Sequence, residues 1–384
     1  MQFSFEQNLA IKNNYQHVAL IAVAGSGKTT VLIAKIKLLL KMGIDPKEIL
    51  VITFTNKASK EISLRLKNPL VNVYTFDAFC YNILDQKLNI LEKSFEFTNE
   101  EILKFNNYDA KNKKQIKPYR YNEYINYKKI NNVYDFYDIE KLALNKIKTN
   151  NIKYNYILID EFQDTNNLQY ELFKNLCNNK TYTFIVGDPD QSIYKFRGAN
   201  NKLINKYIKD FNAKLLYLNN NYRSTKNICL LANKVISKNK NRIKKQLTPI
   251  NLNNGIIKYM FFKNELIEYN YIIQYYEKIK SKYRTIAILY RNNEQGYLYK
   301  KYFYNKYDNI NILTIHEAKG LEFDCVFLIG VNDKVFPNYN NIVELEEERR
   351  LFFVAITRAK KKLIISSAYK VSKFIKENKI DRRW

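Results

Sequence analysis

The sequence predicts an α/β protein built on parallel sheets. Short apolar runs of strand length alternate with helical patterns, the rhythm of strands joined by helical crossovers. One run feeds a glycine-rich loop that opens a helix, AVAGSGKTT (22–30). A second α/β series begins near residue 214, so the 384 residues suit two or three domains.

In order, Val18 to Ile21 is the first strand, and the helix after the loop ends at Gly43 with Pro46 behind it. ILVITF (49–54) reads as a strand, NKASKEISLRLK (56–67) as a helix and VNVYTF (71–76) as a strand. YNYILID (154–160) and TYTFIVGD (181–188) complete this series. Residues 81–150 interrupt it, rich in Lys, Asn and Tyr and helical in pattern. Apolar Ile125, Val133, Phe136, Ile139, Leu142 and Leu144 mark that stretch as an inserted subdomain. The second series has strands at KLLYL (214–218), GIIKYMFF (255–262), TIAILY (285–290), INILTI (310–315), CVFLIG (325–330) and KLIIS (362–366). ELIEYNYIIQYYEKIK (265–280) is its clearest helix, and 239–254 reads as an exposed charged connection.

Lys and Arg number 64 against 37 acidic residues, a formal charge of +27 that calls for a polyanion, with nucleic acid the leading candidate. Runs such as KNKNRIKK (238–245) also show the imprint of A/T-rich codons. Cys80, Cys177, Cys229 and Cys325 stand far apart, and only His17 and His316 exist, which argues against a zinc site or a disulfide framework. The start of the chain has no signal-peptide layout, and no run approaches about 18 apolar residues. An intracellular, cytoplasmic location without membrane contact is expected, a nuclear or viral-factory site staying open.

The chemistry concentrates at strand ends. In AVAGSGKTT the loop amides can turn onto phosphate, Lys28 reaches toward the β- and γ-phosphates and Thr29 offers its hydroxyl to Mg²⁺. LIDEFQDT (158–165) puts Asp160 and Glu161 at the carboxyl end of an apolar strand, where ligands of parallel sheets bind. Asp160 suits the metal and Glu161 the attacking water. In VGDPDQSIYKFRGA (186–199), Gln191 suits a γ-phosphate sensor, while Tyr194 and Phe196 alternate with Lys195 and Arg197 as a base-stacking platform. Arg223 of NYRST (221–225) and Arg358, projecting from the end of the helix in LEEERRLFFVAITRAKKKL (345–363), are arginine-finger candidates. Leu351, Phe352, Val354 and Ala355 of that helix face the core.

This ordered set resembles the superfamily 1A helicases of the UvrD/Rep/PcrA type over nearly the whole chain. Gln7 is similar to the Q motif, AVAGSGKTT to motif I, TFTNKASKEI (53–62) to motif Ia and YTFDAF (74–79) to motif Ib. YDFYDI (134–139) resembles the element before motif II, LIDEFQDT is similar to motif II and GDPDQSIYKFRGA to motif III. NYRST resembles motif IV, ILYRNNEQ (288–295) the element after it, TIHEAKGLEFDCVFLIG (314–330) motif V and EERRLFFVAITRA (347–359) motif VI.

The resemblance implies two RecA-like domains: 1A (1–80 and 151–213), interrupted by a reduced subdomain 1B (81–150), then 2A (214–384), with subdomain 2B absent. It implies ATP and Mg²⁺ as cofactors, ATP lying between the domains. Gln7, Ala24, Gly25, Ser26, Gly27, Lys28, Thr29, Thr30, Tyr222 and Glu322 would bind it, Tyr222 stacking on adenine. Lys28, Asp160, Glu161, Gln191, Arg223 and Arg358 would act in hydrolysis, with Thr29 and Asp160 on the metal. Phe54, Asn56, Thr75, Phe76, Tyr194, Phe196, Arg197, Thr314 and His316 would contact single-stranded DNA. Val23 departs from a frequent Gly, Asp77 from a DNA-contacting His and Phe196 from a usual Trp.

The implied activity is ATP-driven 3′→5′ movement on single-stranded DNA and at junctions with duplex, by a monomer working with or without an accessory protein, in repair or replication. The alternatives are a DNA-stimulated translocase that displaces proteins with little unwinding, and a non-enzymatic nucleic-acid-binding protein.

Overall fold

The computed structural model describes residues 2–91, 96–110, 116–339 and 341–380. The chain forms two compact units, Met1–Ala22 with Gly27–Leu218, and Val23–Ser26 with Asn219–Trp384. Each is built on a parallel sheet, giving the two RecA-like domains of an α/β protein.

The first unit runs α1 (Phe5–Lys12), β1 (His17–Ala22), α2 (Lys28–Lys41), β2 (Ile49–Thr53), α3 (Asn56–Leu66), β3 (Asn72–Thr75) and α4 (Phe76–Leu84). It continues through α5 (Asn99–Ala110), α6 (Tyr121–Ile130), α7 (Phe136–Thr149), β4 (Tyr156–Ile159), α8 (Asn167–Leu176), β5 (Tyr182–Gly187), α9 (Leu203–Asp210) and β6 (Lys214–Leu218). Its sheet has the order β3-β2-β4-β5-β1-β6, every pair parallel. Helices cover both faces, so β2 reads ILVIT without alternation and is buried throughout. Val18, Leu20, Val31, Ile36, Val51, Leu158, Phe184 and Val186 share one core cluster of this unit.

Within 81–150, Phe97, Phe105, Tyr108, Tyr121 and Tyr124 form an aromatic cluster of their own. Of the expected apolar residues there, Ile139 and Leu144 are buried, whereas Phe136 is half exposed. Residues 92–95 and 111–115 of this stretch lie outside the described residues.

The second unit contains β7 (Asn220–Thr225), α10 (Lys226–Ile236), β8 (Thr248–Asn251), β9 (Ile256–Phe262), α11 (Glu265–Ile279), β10 (Ile286–Tyr290), α12 (Asn293–Phe303), β11 (Ile310–Thr314), β12 (Phe323–Leu328), α13 (Ile342–Ile356), β13 (Ala359–Ala368) and α14 (Lys373–Glu377). Five strands form a parallel sheet in the order β11-β10-β12-β13-β9, and β7 pairs with β8 apart from it. Ile272, Tyr276, Ile288, Tyr290, Cys325, Phe327 and Ile364 are central to its core. The described elements between residues 226 and 310 all fall in this unit.

One strand placement differs from the sequence expectation. KLLYL (214–218), expected to open the second series, is the edge strand β6 of the first sheet, aligned from Val18↔Lys214 to Ala22↔Leu218. A short apolar run encodes a strand but not the sheet it joins. NYRST follows KLLYL in the chain and forms part of the next strand, β7. No helix among the described residues is long and apolar enough to cross a membrane.

Candidate nucleotide and nucleic-acid sites

β1, β5 and β4 are neighbours, so their carboxyl ends bring three chain segments together. β1 delivers the glycine-rich loop. Gly27 caps α2 with φ +80°, a left-handed conformation that side chains resist, and a Cβ there would sit 3.1 Å from Gln7 Nε2. Lys28 and Thr29 therefore occupy the first turn of α2, where amides and helix dipole favour an anion.

β4 ends in Asp160 and Glu161. Thr29 Oγ1 donates to Asp160 Oδ2 at 3.3 Å, and the Glu161 amide donates to Asp160 Oδ1 at 2.9 Å. Lys28 Nζ lies 3.2 Å from Glu161 Oε1 and 3.3 Å from Oε2. Burial opposes the charged ammonium, but Glu161, Asp188 and Asp160 outweigh it and raise the Lys28 pKa. Burial and the Glu161 charge push the Asp160 carboxyl up to about 6, against the pull of Lys28. Glu161 has φ +51°, a strained backbone for a residue with a side chain.

Gln163, which the sequence reading passed over, ties these groups together. Its Nε2 donates to Glu161 Oε2, and its Oε1 accepts from the Asp188 amide at 2.8 Å. Asp188 follows β5 and accepts from Gln191 Nε2. The only sequence clue was its place, two residues past the acid pair. Gln7 makes a capping box with Ser4 at the start of α1, and Thr30 accepts from Arg65 Nη2 at 3.2 Å. Ala24, Gly25 and Ser26 group with the second unit, where Asn221 Nδ2 donates to the Ala24 carbonyl (2.6 Å) and the Tyr222 amide to that of Gly25 (2.9 Å).

A cleft of about 520 Å³ in the first unit collects other predicted residues: Phe54, Thr75, Phe76, Tyr194 and Arg197 line it. Phe54 and Tyr194 stack at 4.9 Å between ring centroids, Phe196 lies 6.0 Å from Tyr194, and the Arg197 guanidinium sits 5.4 Å from the Tyr194 ring. Phe196 is 41% exposed and Asn56 is exposed at the start of α3, whereas Phe76 is buried and Thr75 caps α4 through the Ala78 amide. Asp77 and Glu140 also line the cleft. Burial pushes Asp77 up to about 6, with Arg197 opposing, and burial with Asp77's charge pushes Glu140 up to about 8, with Gln169 and Asn166 opposing.

In the second unit, Arg223 Nε donates to Glu322 Oε2 at 2.7 Å and Nη1 to the Thr357 carbonyl at 3.2 Å. Glu322 also pairs with Lys360 at 2.7 Å, so the carboxylate expected to meet nucleotide holds two cations. Arg358 does not project from its helix: it is 1% exposed and donates to the carbonyls of Val354 and Leu321 and to Thr357 Oγ1. The helix ends at Ile356, so Arg358 falls in the turn into β13 and folds back on the last turn. Leu351, Phe352, Val354 and Ala355 are buried as expected. Tyr222 is 45% exposed. Thr314 ends β11 and exchanges hydrogen bonds with Glu317, and half-buried His316 follows in the next turn. Arg291, at the carboxyl end of β10, forks onto Glu348 at 2.9–3.3 Å; its place after a buried strand was the available signal.

A glycine-rich loop and strand-end carboxylates on a parallel sheet define a P-loop NTPase. The UvrD/REP helicase N-terminal domain family matches residues 3–102 and 87–212, and the UvrD-like helicase C-terminal domain family matches 216–307 and 300–370. The chain belongs to the UvrD-like helicase family.

It is 34% identical to the ATP-dependent DNA helicase Rep of Buchnera aphidicola subsp. Acyrthosiphon pisum, over 78% of this chain and 56% of that protein. A probable DNA helicase of Mycoplasma pneumoniae is 30% identical over 92% of this chain and 82% of its own length. The ATP-dependent DNA helicase PcrA of Staphylococcus epidermidis is 32% identical over 78% of this chain and 49% of that protein. The chain thus spans about half the length of the Rep and PcrA relatives it matches.

Proposed function

We propose that the chain hydrolyses ATP to move along single-stranded DNA, as a helicase or translocase of the UvrD type. The observation that carries this reading is the Lys28–Glu161 and Thr29–Asp160 contacts at the carboxyl ends of β1 and β4, the parallel strands on either side of β5. Lys28 leaves Glu161 to meet the phosphates. Glu161, released, accepts the proton of the attacking water, and Gln163 keeps its carboxylate in place. Gln191 and Gln7 complete the nucleotide contacts of this unit, and Tyr222, Glu322, Arg223 and Arg358 take the family's nucleotide and hydrolysis roles.

The donor set suits Mg²⁺: a hydroxyl and a carboxylate oxygen side by side, hard ligands that leave room for phosphate and water. Thr29 and Asp160 would hold the ion, which when bound neutralises charge on the phosphates.

Phe54, Tyr194, Phe196 and Arg197 grip bases by stacking, independent of sequence, while Asn56, Thr75 and Phe76 border the strand. Thr314 and His316 supply contacts from the second unit. The net charge of +27 supports backbone binding.

We assign residues 1–80 and 151–218 to domain 1A, with β6 as its edge strand, 81–150 to a reduced 1B and 219–384 to 2A, without 2B. Movement is 3′→5′ by a monomer, with the work of 2B either supplied by an accessory protein or dispensed with. A translocase that displaces proteins with little unwinding is the second reading, favoured by the fact that the described elements between 226 and 310 belong to one unit. Measuring ATP turnover with and without single-stranded DNA across salt tests the proposal. Stimulation that falls steeply with salt is expected; turnover indifferent to DNA at every salt would reject it.

A further inference from the structure

Three segments of the second unit meet around one carboxylate. Glu322 precedes β12, Lys360 stands near the start of β13 and Arg223 lies in β7. Backbone contacts hold the segments in place. The Phe323 amide donates to the Arg358 carbonyl at 2.9 Å, and Ser224 Oγ donates to the Ala359 carbonyl at 2.6 Å. The two Glu322 oxygens are divided between two cations. Oε2 accepts from Arg223 Nε at 2.7 Å, and Oε1 lies 2.7 Å from Lys360 Nζ. Burial opposes the charge on Glu322, but Lys360 and Arg223 outweigh it and lower its pKa.

Arg223 has Nε and Nη1 committed to Glu322 and to the Thr357 carbonyl. An arginine that stabilises phosphoryl transfer turns its donors onto the phosphate. Gly25, grouped with the same unit, passes so close that a Cβ there would sit 2.7 Å from Arg223 Cβ, so the glycine-rich loop runs directly against this residue. Departure of Arg223 takes one counter-ion from Glu322. Lys360 already holds the other oxygen, so an ion pair remains where an unpaired carboxylate would otherwise be left. Two like charges facing one carboxylate also repel each other, which loosens the hold on Arg223 before it leaves.

We propose that Lys360 is a positioning residue, a role that rests on the hydrolytic reading of Arg223. It anchors Glu322 by one oxygen, so that Arg223 exchanges the carboxylate for phosphate and Glu322 stays in place. The adjacent Lys361 does not share this role, because its ammonium pairs with Asp324 at 3.1 Å.

The test compares K360R, K360M and K360E in the full chain. ATP turnover is read with saturating single-stranded DNA, beside a titration with ADP, which lacks the phosphate that Arg223 meets. A pair of this exposure sets the scale at about fivefold or less for loss of the charge. K360R should keep kcat within about twofold of the unaltered chain, and K360M should lower it about threefold. K360E, which sets a second carboxylate beside Arg223, should lower it about tenfold, and ADP affinity should hold in all three. In R223A, the K360M substitution should subtract nothing further.

Equal kcat in K360R, K360M and K360E overturns the proposal, as does a K360M loss that persists undiminished in R223A. A loss of ADP affinity that matches the loss of kcat overturns it too, assigning Lys360 to nucleotide binding. Undiminished turnover in R223A alone would strike the hydrolytic role of Arg223 itself, and the proposal with it. Should K360M fail to fold, K360Q removes the same charge and decides by the same comparison.

Discussion

Lys28 and Glu161, 133 residues apart, meet as an ion pair at 3.2 Å. The pair satisfies both charges in a largely buried place, and it occupies the two groups that hydrolysis needs for other partners. Its rupture is therefore part of the proposed cycle.

E161Q should keep the fold and bind nucleotide, because the amide retains the shape and can still contact Gln163. ATP turnover should fall by about 10²–10⁴ with loss of the general base. Steady-state hydrolysis beside a nucleotide-binding titration separates the two effects; full turnover in E161Q would remove Glu161 from the role of base.

Y194A takes away one face of the Phe54 stack. Affinity for single-stranded DNA should weaken by about 1–3 kcal/mol, equally for homopolymers of different base. Fluorescence anisotropy with labelled oligonucleotides measures this, and a loss confined to one sequence would argue for hydrogen-bond readout instead.

Asp77 and Glu140 give a pH signature. Their folded pKa values are raised, from 3.8 to about 6 and from 4.5 to about 8. In that window the folded state binds more protons than the unfolded one, so the pair's contribution to stability is present at the acid end and lost as pH rises toward about 8. E140Q should flatten that decline. Denaturant unfolding of both proteins at several pH values provides the comparison, and parallel curves would refute the shift.

The two arginines should part company in stability. R358A removes three donors from carbonyl and hydroxyl partners inside the second unit, and should cost about 1–3 kcal/mol. R223A breaks a pair whose Glu322 partner is 43% exposed and still holds Lys360, so it should cost at most about 1 kcal/mol. Both should lower ATP turnover under the proposed roles. R358K, which keeps the charge and loses the planar fork, distinguishes a folding role from a chemical one.

Strands and helices were legible because hydrophobic period and glycine placement are local. ILVITF became β2 and NKASKEISLRLK became α3 almost residue for residue. The glycine-rich loop and the acid pair were legible as well, since each is a short string whose chemistry depends on adjacency. What stayed hidden depended on distant pairing. Nothing in KLLYL says that it pairs with β1, nothing in Arg291 points to Glu348 57 residues later, and nothing in Glu322 announces Arg223. Arg358 was misplaced for the same reason: helical register fixes a direction, but the acceptors that draw the guanidinium inward include Leu321, 37 residues before it.

The backbone at Glu161 carries a consequence of its own. With φ +51°, the residue stands where glycine would rest with less steric penalty. A carboxylate kept there is thermodynamically awkward and chemically indispensable under the proposed cycle. Replacing it with glycine eases the backbone but strips the buried Lys28 ammonium of its counter-charge, so melting temperature should fall together with ATP turnover: the awkward torsion is held in place by the charge it carries.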